Sequence, residues 1–94
     1  MVLGPDATRQ LRALRAYDVT ALKDAMRRQL ADTDATHESQ QRFRLRRPSD
    51  VAEFELRVAK WRVFYRVKGD EVQVVLIGEK RGEKLFIDKK RFVL

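Results

Sequence analysis

Near Arg42 the spacing of apolar residues changes, and that change confines the chain to a small set of folds. Before it, apolar residues recur at helical intervals: Ala7, Leu11 and Leu14, then Leu22, Ala25, Met26 and Leu30. Beyond it they alternate with polar ones. Phe54, Leu56 and Val58 interleave with Glu53, Glu55 and Arg57, and Trp61, Val63, Tyr65 and Val67 with Arg62, Phe64 and Arg66. A period of two belongs to a strand that turns one face toward a core. Helices first and strands after predict an α+β domain with the helices packed on one face of an antiparallel sheet.

Local signals place the elements. Val2-Leu3 reads as a very short strand. Gly4-Pro5-Asp6 then opens a helix, because proline suits the first turn and an aspartate favours the positive helix end. This helix is expected to end near Ala16 or Tyr17, and Asp18 to cap a second one. Asp32–Gln41 has no apolar period and predicts a loop. Arg42–Arg47 alternates apolar with basic residues, and Pro48-Ser49-Asp50 interrupts it. Turns are expected at Ala59-Lys60 and Lys68-Gly69-Asp70, with a strand from Glu71 to Gly78. In that strand Val72, Val74 and Leu76 should face one way, and Val75 and Ile77 the other. Glu79–Lys84 reads as a polar loop, Leu85-Phe86-Ile87 as a last short strand, and Phe92-Val93-Leu94 as a tail folding back on the core. The expected architecture is a short strand, a helical hairpin and about four antiparallel strands. Its second face should expose the arginines.

Ninety-four residues suit one domain over 1–94. The chain has no cysteine and one histidine, which leaves no disulfide framework and none of the usual zinc ligand sets. No apolar run reaches the roughly 18–20 residues that cross a bilayer. Met-Val-Leu-Gly-Pro-Asp lacks the basic and apolar stretches of a signal peptide, so a soluble, cytoplasmic protein is expected. Lysine and arginine number 21 against 14 acidic residues, a formal charge of +7 that favours polyanionic partners such as nucleic acid, the ribosome or an acidic protein segment.

The phrase Phe54-Glu-Leu-Arg-Val58 followed by Trp61-Arg-Val-Phe-Tyr65 resembles the RelE/ParE toxins of type II toxin-antitoxin systems. Their pattern pairs an aromatic-x-Leu-Arg strand with an aromatic-Arg-aliphatic-x-Tyr strand. Ile77-Gly-Glu-Lys-Arg81 resembles the strand that follows, which leads into a basic residue. The likeness is specific over roughly residues 54–87, while the helices agree in placement alone. It implies a toxin held inactive by an antitoxin that wraps it in a hetero-oligomer, with no metal or cofactor. The RelE branch cuts messenger RNA in the ribosomal A site, and the ParE branch inhibits DNA gyrase.

Metal-free RNA cleavage needs a base, a cation at the phosphate and an acid. The resemblance makes Arg62 the phosphate cation, and a guanidinium can make bidentate contacts there. It makes Arg81, with Lys80 beside it, a second basic group, and Glu55 a candidate base. The alternative for Glu55 is a cross-strand partner of an arginine. Arg57 and Arg66 are expected beside Arg62, and Arg42, Arg44, Arg46 and Arg47 form a basic stripe ahead of the sheet. Its structural counterpart is a charged edge that prevents aggregation. Phe64, on the arginine face, and Phe86 are base-stacking candidates. Trp61 and Tyr65 are expected in the core, and His37 in solvent. Two departures from the RelE pattern stand out. Glu53 and Glu55 replace lysines, and Leu85-Phe86-Ile87 stands where relatives carry a tyrosine, although phenylalanine transfers no proton. A ribosome-dependent mRNA endonuclease is the leading expectation. A gyrase inhibitor without catalysis and a non-toxic RNA- or antitoxin-binding member of the fold are its rivals.

Overall fold

The structure, a computed structural model, describes residues 1–31, 34–46 and 51–92. Strand β1 (Val2–Leu3) leads into helix α1 (Pro5–Arg12) and helix α2 (Ala16–Met26), whose last turn widens into a π-helical turn at Arg27–Ala31. Strands β2 (Arg42–Arg44), β3 (Phe54–Val58), β4 (Trp61–Lys68), β5 (Glu71–Arg81), β6 (Lys84–Ile87) and β7 (Lys90–Phe92) follow. They lie side by side in chain order as an antiparallel sheet, and β1 joins β5 in parallel. The sheet therefore has more strands than the four expected. β5 runs three residues past Gly78, and the presumed loop at Glu79–Lys84 is mostly hairpin.

Both helices obey end effects, with two corrections to their expected limits. Pro5 and Asp6 occupy the first turn of α1, and Arg9 and Arg12 its last. It stops at Arg12, short of Ala16. The cap of α2 is Arg15, whose carbonyl accepts the Val19 amide at 3.0 Å. Asp18 thus sits inside the first turn, where its charge faces the positive helix end rather than capping it.

The helices cover one face of the sheet, here called the inner face. Leu11, Leu22, Met26 and Leu30 meet Phe54, Leu56, Trp61, Val63, Tyr65, Val74 and Ile77 in one core. Phe54 and Tyr65 stack with ring centroids 5.2 Å apart. The Tyr65 hydroxyl donates to the Ala35 carbonyl at 2.7 Å, fastening the loop beneath the helices, and burial pushes its pKa up to about 12. Trp61 and Tyr65 are core residues, as their alternation implied.

The outer face is not an open field of arginines. Phe64, Ala52 and Ile87 are buried there, with Leu45, Val75, Leu76, Leu85 and Phe92 packed around them. A break in register makes this second core possible. Phe64 pairs with Leu76 but Tyr65 with Val74, so Val75 is an extra residue on β5. Beyond the bulge the alternation inverts: Leu76 joins Val75 on the outer face and Ile77 turns inward, opposite to the expectation for both. Gly78 then lets β6 close in, because a Cβ there would lie 2.9 Å from Ile87 Cγ1 and 3.0 Å from the Phe86 carbonyl. The expected fold-back of the tail is seen in Phe92, whereas Val93 and Leu94 lie outside the described residues.

Candidate functional site

Antiparallel pairing sets Arg57 directly opposite Arg62 on the outer face, a like-charge pair that needs an anion between its members. Glu55 supplies it. One oxygen, Oε1, lies 2.9 Å from Arg57 Nε and 3.3 Å from Arg62 Nε. Arg57 also lies over the Phe43 ring, its guanidinium carbon 4.0 Å from the ring centre. Arg62 turns back on its own hairpin. Its Nη1 donates to the Ala59 and Trp61 carbonyls at 2.8 and 2.9 Å, bracing a turn in which Ala59 has a φ of 51°. Only 16% of the Arg62 side chain and 15% of the Glu55 side chain are exposed, whereas Arg57, at 49%, opens the cluster to solvent. Burial lowers the Arg62 pKa, Glu55 draws it back up, and Arg57 lowers it further. Arg66 shares the face, as expected, and donates to Gln73 Oε1 at 2.8 Å.

The second basic position divides between its two candidates. By alternation from Gly78, which pairs with Arg62, Lys80 is on the outer face and Arg81 on the inner one. Arg81 pairs with Glu79 and lies over the Phe86 ring at 4.9 Å. Lys60 reaches the same carboxylate at 3.2 Å. Hydrogen bonding from Arg81, then from Lys60, holds the Glu79 carboxyl below the usual carboxylate range although burial opposes it. Arg62 and Arg81 therefore do not converge: the sheet lies between them.

The stacking and stripe residues also move from their expected places. Phe64 has 1% of its surface exposed and is a core residue, because the bulge and β6 cover the face it was expected to present. Phe86 lies on the inner side with Arg81. The basic stripe divides by burial rather than by face, because Arg42 and Arg44 pair with Leu56 and Phe54 and so share the inner side. Arg42 points inward and is buried, donating from Nε to the His37 carbonyl at 2.9 Å and from Nη1 to the Gln29 carbonyl at 2.9 Å. Arg44 lies over the Phe54 ring at 4.7 Å, and Arg46 is exposed past the end of β2. Arg47 lies outside the described residues. His37 is in solvent.

Alternation alone did not reveal a cleft of about 390 Å³ on the inner side, between α1 and the β5–β6 hairpin. Leu14, Trp61, Ile77 and Phe86 give it apolar walls, and Arg9, Arg81 and Lys89 stand around it. A clasp closes one end. Arg9 donates to both Asp88 oxygens at 2.7 and 3.0 Å, and Gln10 Nε2 donates to Asp88 Oδ2 at 3.2 Å. Gln10 Oε1 accepts the Ile77 amide at 2.7 Å, where β5 has passed the end of β1 and not yet met β6. The polar faces of α1 and the Asp88-Lys89 turn carried these residues in the sequence, but no local pattern joined them.

A short parallel strand, a helical hairpin and an antiparallel sheet carrying the Phe54–Tyr65 motif define a toxin of the RelE/ParE superfamily. Over residues 2–83 the chain matches the family described as the ParE toxin of the type II toxin-antitoxin system, parDE, and it belongs to that family. An antitoxin partner follows from that membership. Comparison with curated proteins and with solved structures gives no match. No helix among the described residues is long and apolar enough to cross a membrane.

Proposed function

We propose that this toxin acts by binding, as a ParE-like inhibitor of DNA gyrase, and is neutralised by a cognate antitoxin. The observation that carries the reading is the separation of Arg62 from Arg81 by the sheet, with Glu55 committed to two arginines. General acid-base cleavage needs a base and an acid within reach of one phosphate. Glu55 is the carboxylate nearest to that task, yet leaving the cluster would set Arg57 against Arg62 without an anion. Phe86, at the position where a proton donor would be needed, is on the other face and carries no proton to give. Binding makes no such demand on convergence, and a charge of +7 suits an acidic protein surface or a protein-DNA complex.

Two measurements test this. Purified toxin should inhibit supercoiling of relaxed plasmid by DNA gyrase in vitro, and induction in bacteria should arrest growth while leaving messenger RNA ends on ribosomes unchanged. Cuts in the ribosomal A site that disappear in the Arg62→Ala variant would instead establish the endonuclease. Growth unaffected by induction would leave a non-toxic member of the fold.

A further inference from the structure

We infer that the β6–β7 hairpin is a binding surface in its own right, one that grips the phosphate backbone of duplex DNA whatever the base sequence. The inference does not depend on the gyrase reading, because DNA alone tests it. Residues 80–91 hold six basic and two acidic side chains, a surplus of four out of the chain's net seven. These cations differ from those of the central strands in lacking partners. On the central strands Arg57 and Arg62 share Glu55, Arg66 donates to Gln73, and Lys60 and Arg81 share Glu79. In the hairpin Lys84, Lys89, Lys90 and Arg91 are exposed and form no ion pair among the described residues, and neither does half-buried Lys80. The two acids nearby leave that charge standing. Asp88 is turned to α1, where Arg9 takes both its oxygens and Lys90 acts on it only at longer range. Glu83 stands at the other turn, between Gly82 and Lys84.

Geometry and composition together select the partner. β7 ends the path of the sheet, so among the described residues no further strand covers its outer edge. Lys90 leaves one side of that edge with Ile87, Arg91 leaves the other with Phe86, and Lys89 stands in the turn. Successive residues of a strand rise about 3.3 Å, close to the roughly 3.4 Å of axis per phosphate on one DNA strand. Each cation that meets a phosphate releases a counterion, and an unpaired cation gives up no protein partner to do so. Single-stranded nucleic acid asks for aromatic side chains free to stack. Here Phe86 lies under Arg81 and Phe92 packs in the outer core. An acidic protein asks for an apolar anchor, yet the large apolar side chains that the structure exposes, Met1, Val2, Tyr17 and Val51, all lie elsewhere. Residues 80–91 also contain no Asn, Gln, Ser or Thr, so readers of base edges are few and backbone contacts prevail.

The test is fluorescence anisotropy of a short labelled duplex titrated with purified toxin at low salt. Log affinity should fall with log salt at a slope between about −3 and −4, one phosphate for each of Lys84, Lys89, Lys90 and Arg91. Changing Lys89→Gln, Lys90→Gln and Arg91→Gln together should weaken binding by about tenfold or more and flatten the slope to about −1. A control chain with Arg15→Gln, Lys23→Gln and Lys68→Gln loses the same charge from exposed positions on α2 and the β4–β5 turn, and should stay within about twofold of wild type. Thermal melts check that both triple variants fold, and Lys90→Gln alone should reduce the slope by about one. Duplexes rich in A·T and in G·C should bind alike. Absence of binding, equal losses in the two triple variants, or a strong preference for one duplex sequence overturns the assignment. So does tighter binding of a single strand, or displacement by poly-glutamate as effective as by unlabelled duplex. A supercoiling assay on the same preparations keeps the two proposals apart, because toxin that binds duplex without inhibiting gyrase refutes the gyrase reading alone.

Discussion

The two faces of this sheet draw on similar residues and arrive at different environments. On the inner face, two helices cover a continuous core, and the charged groups that enter it are held by backbone atoms, as Arg42 is by the Gln29 and His37 carbonyls. On the outer face no helix arrives among the described residues. A smaller core around Phe64, Ala52 and Ile87 is covered by the chain's own C-terminal hairpin, and of the arginines beside it Arg57 and Arg62 pair with Glu55 while Arg66 donates to Gln73. A cation in a strand is thus no measure of a binding face. Its value depends on whether the fold leaves it uncovered and unpaired.

The largest test of that contrast is Phe64→Ala. With Phe64 buried in the outer core, the variant should lose about 3–5 kcal/mol of stability in urea unfolding. A loss near that of a surface substitution, within about 0.5 kcal/mol, would mean that the face is open and that Phe64 is available for stacking. On the inner face, Arg42→Met removes the donors that satisfy two carbonyls and should cost about 1.5–3 kcal/mol, the scale of hydrogen bonds from a charged group. Gln10→Leu strands the buried Ile77 amide and should cost about 1–3 kcal/mol, with faster hydrogen exchange at that amide as the local readout.

The smallest effect is the pH dependence of the clasp. Hydrogen bonds from Arg9, then from Gln10, hold the Asp88 carboxyl below the usual carboxylate range, although desolvation opposes them. A depressed folded pKa contributes stability above the unfolded value of about 3.9 and loses it as pH falls through the folded value. Asp88→Asn should therefore be less stable than wild type near neutral pH, and the gap should close in acid. Both partners are substantially exposed, so solvent screening keeps the gap small. Equal urea midpoints at neutral pH would show that the clasp does not hold the hairpin.

The sequence by itself determined a good deal. The switch from helical to alternating spacing gave the α+β class, the helical hairpin and the pairing of β3 with β4, because each amphipathic element must bury its apolar side. Trp61 and Tyr65 were legible as core, and the strand motif was legible as a RelE/ParE toxin. Tertiary structure decided the rest. Strict alternation assigns Leu76 and Ile77 to faces that one extra residue, Val75, exchanges, and no residue type marks that bulge. It also cannot tell an open face from one that β6 and β7 cover through the close approach at Gly78. Arg81 follows the right strand for a site shared with Arg62, yet a strand sends neighbouring side chains to opposite sides, and the register chose Lys80 for the outer one. The cleft joins α1 to a hairpin more than seventy residues away, through Arg9, Gln10 and Asp88. Contacts at that separation are fixed by how the whole chain packs, so local pattern could supply the residues but not their meeting.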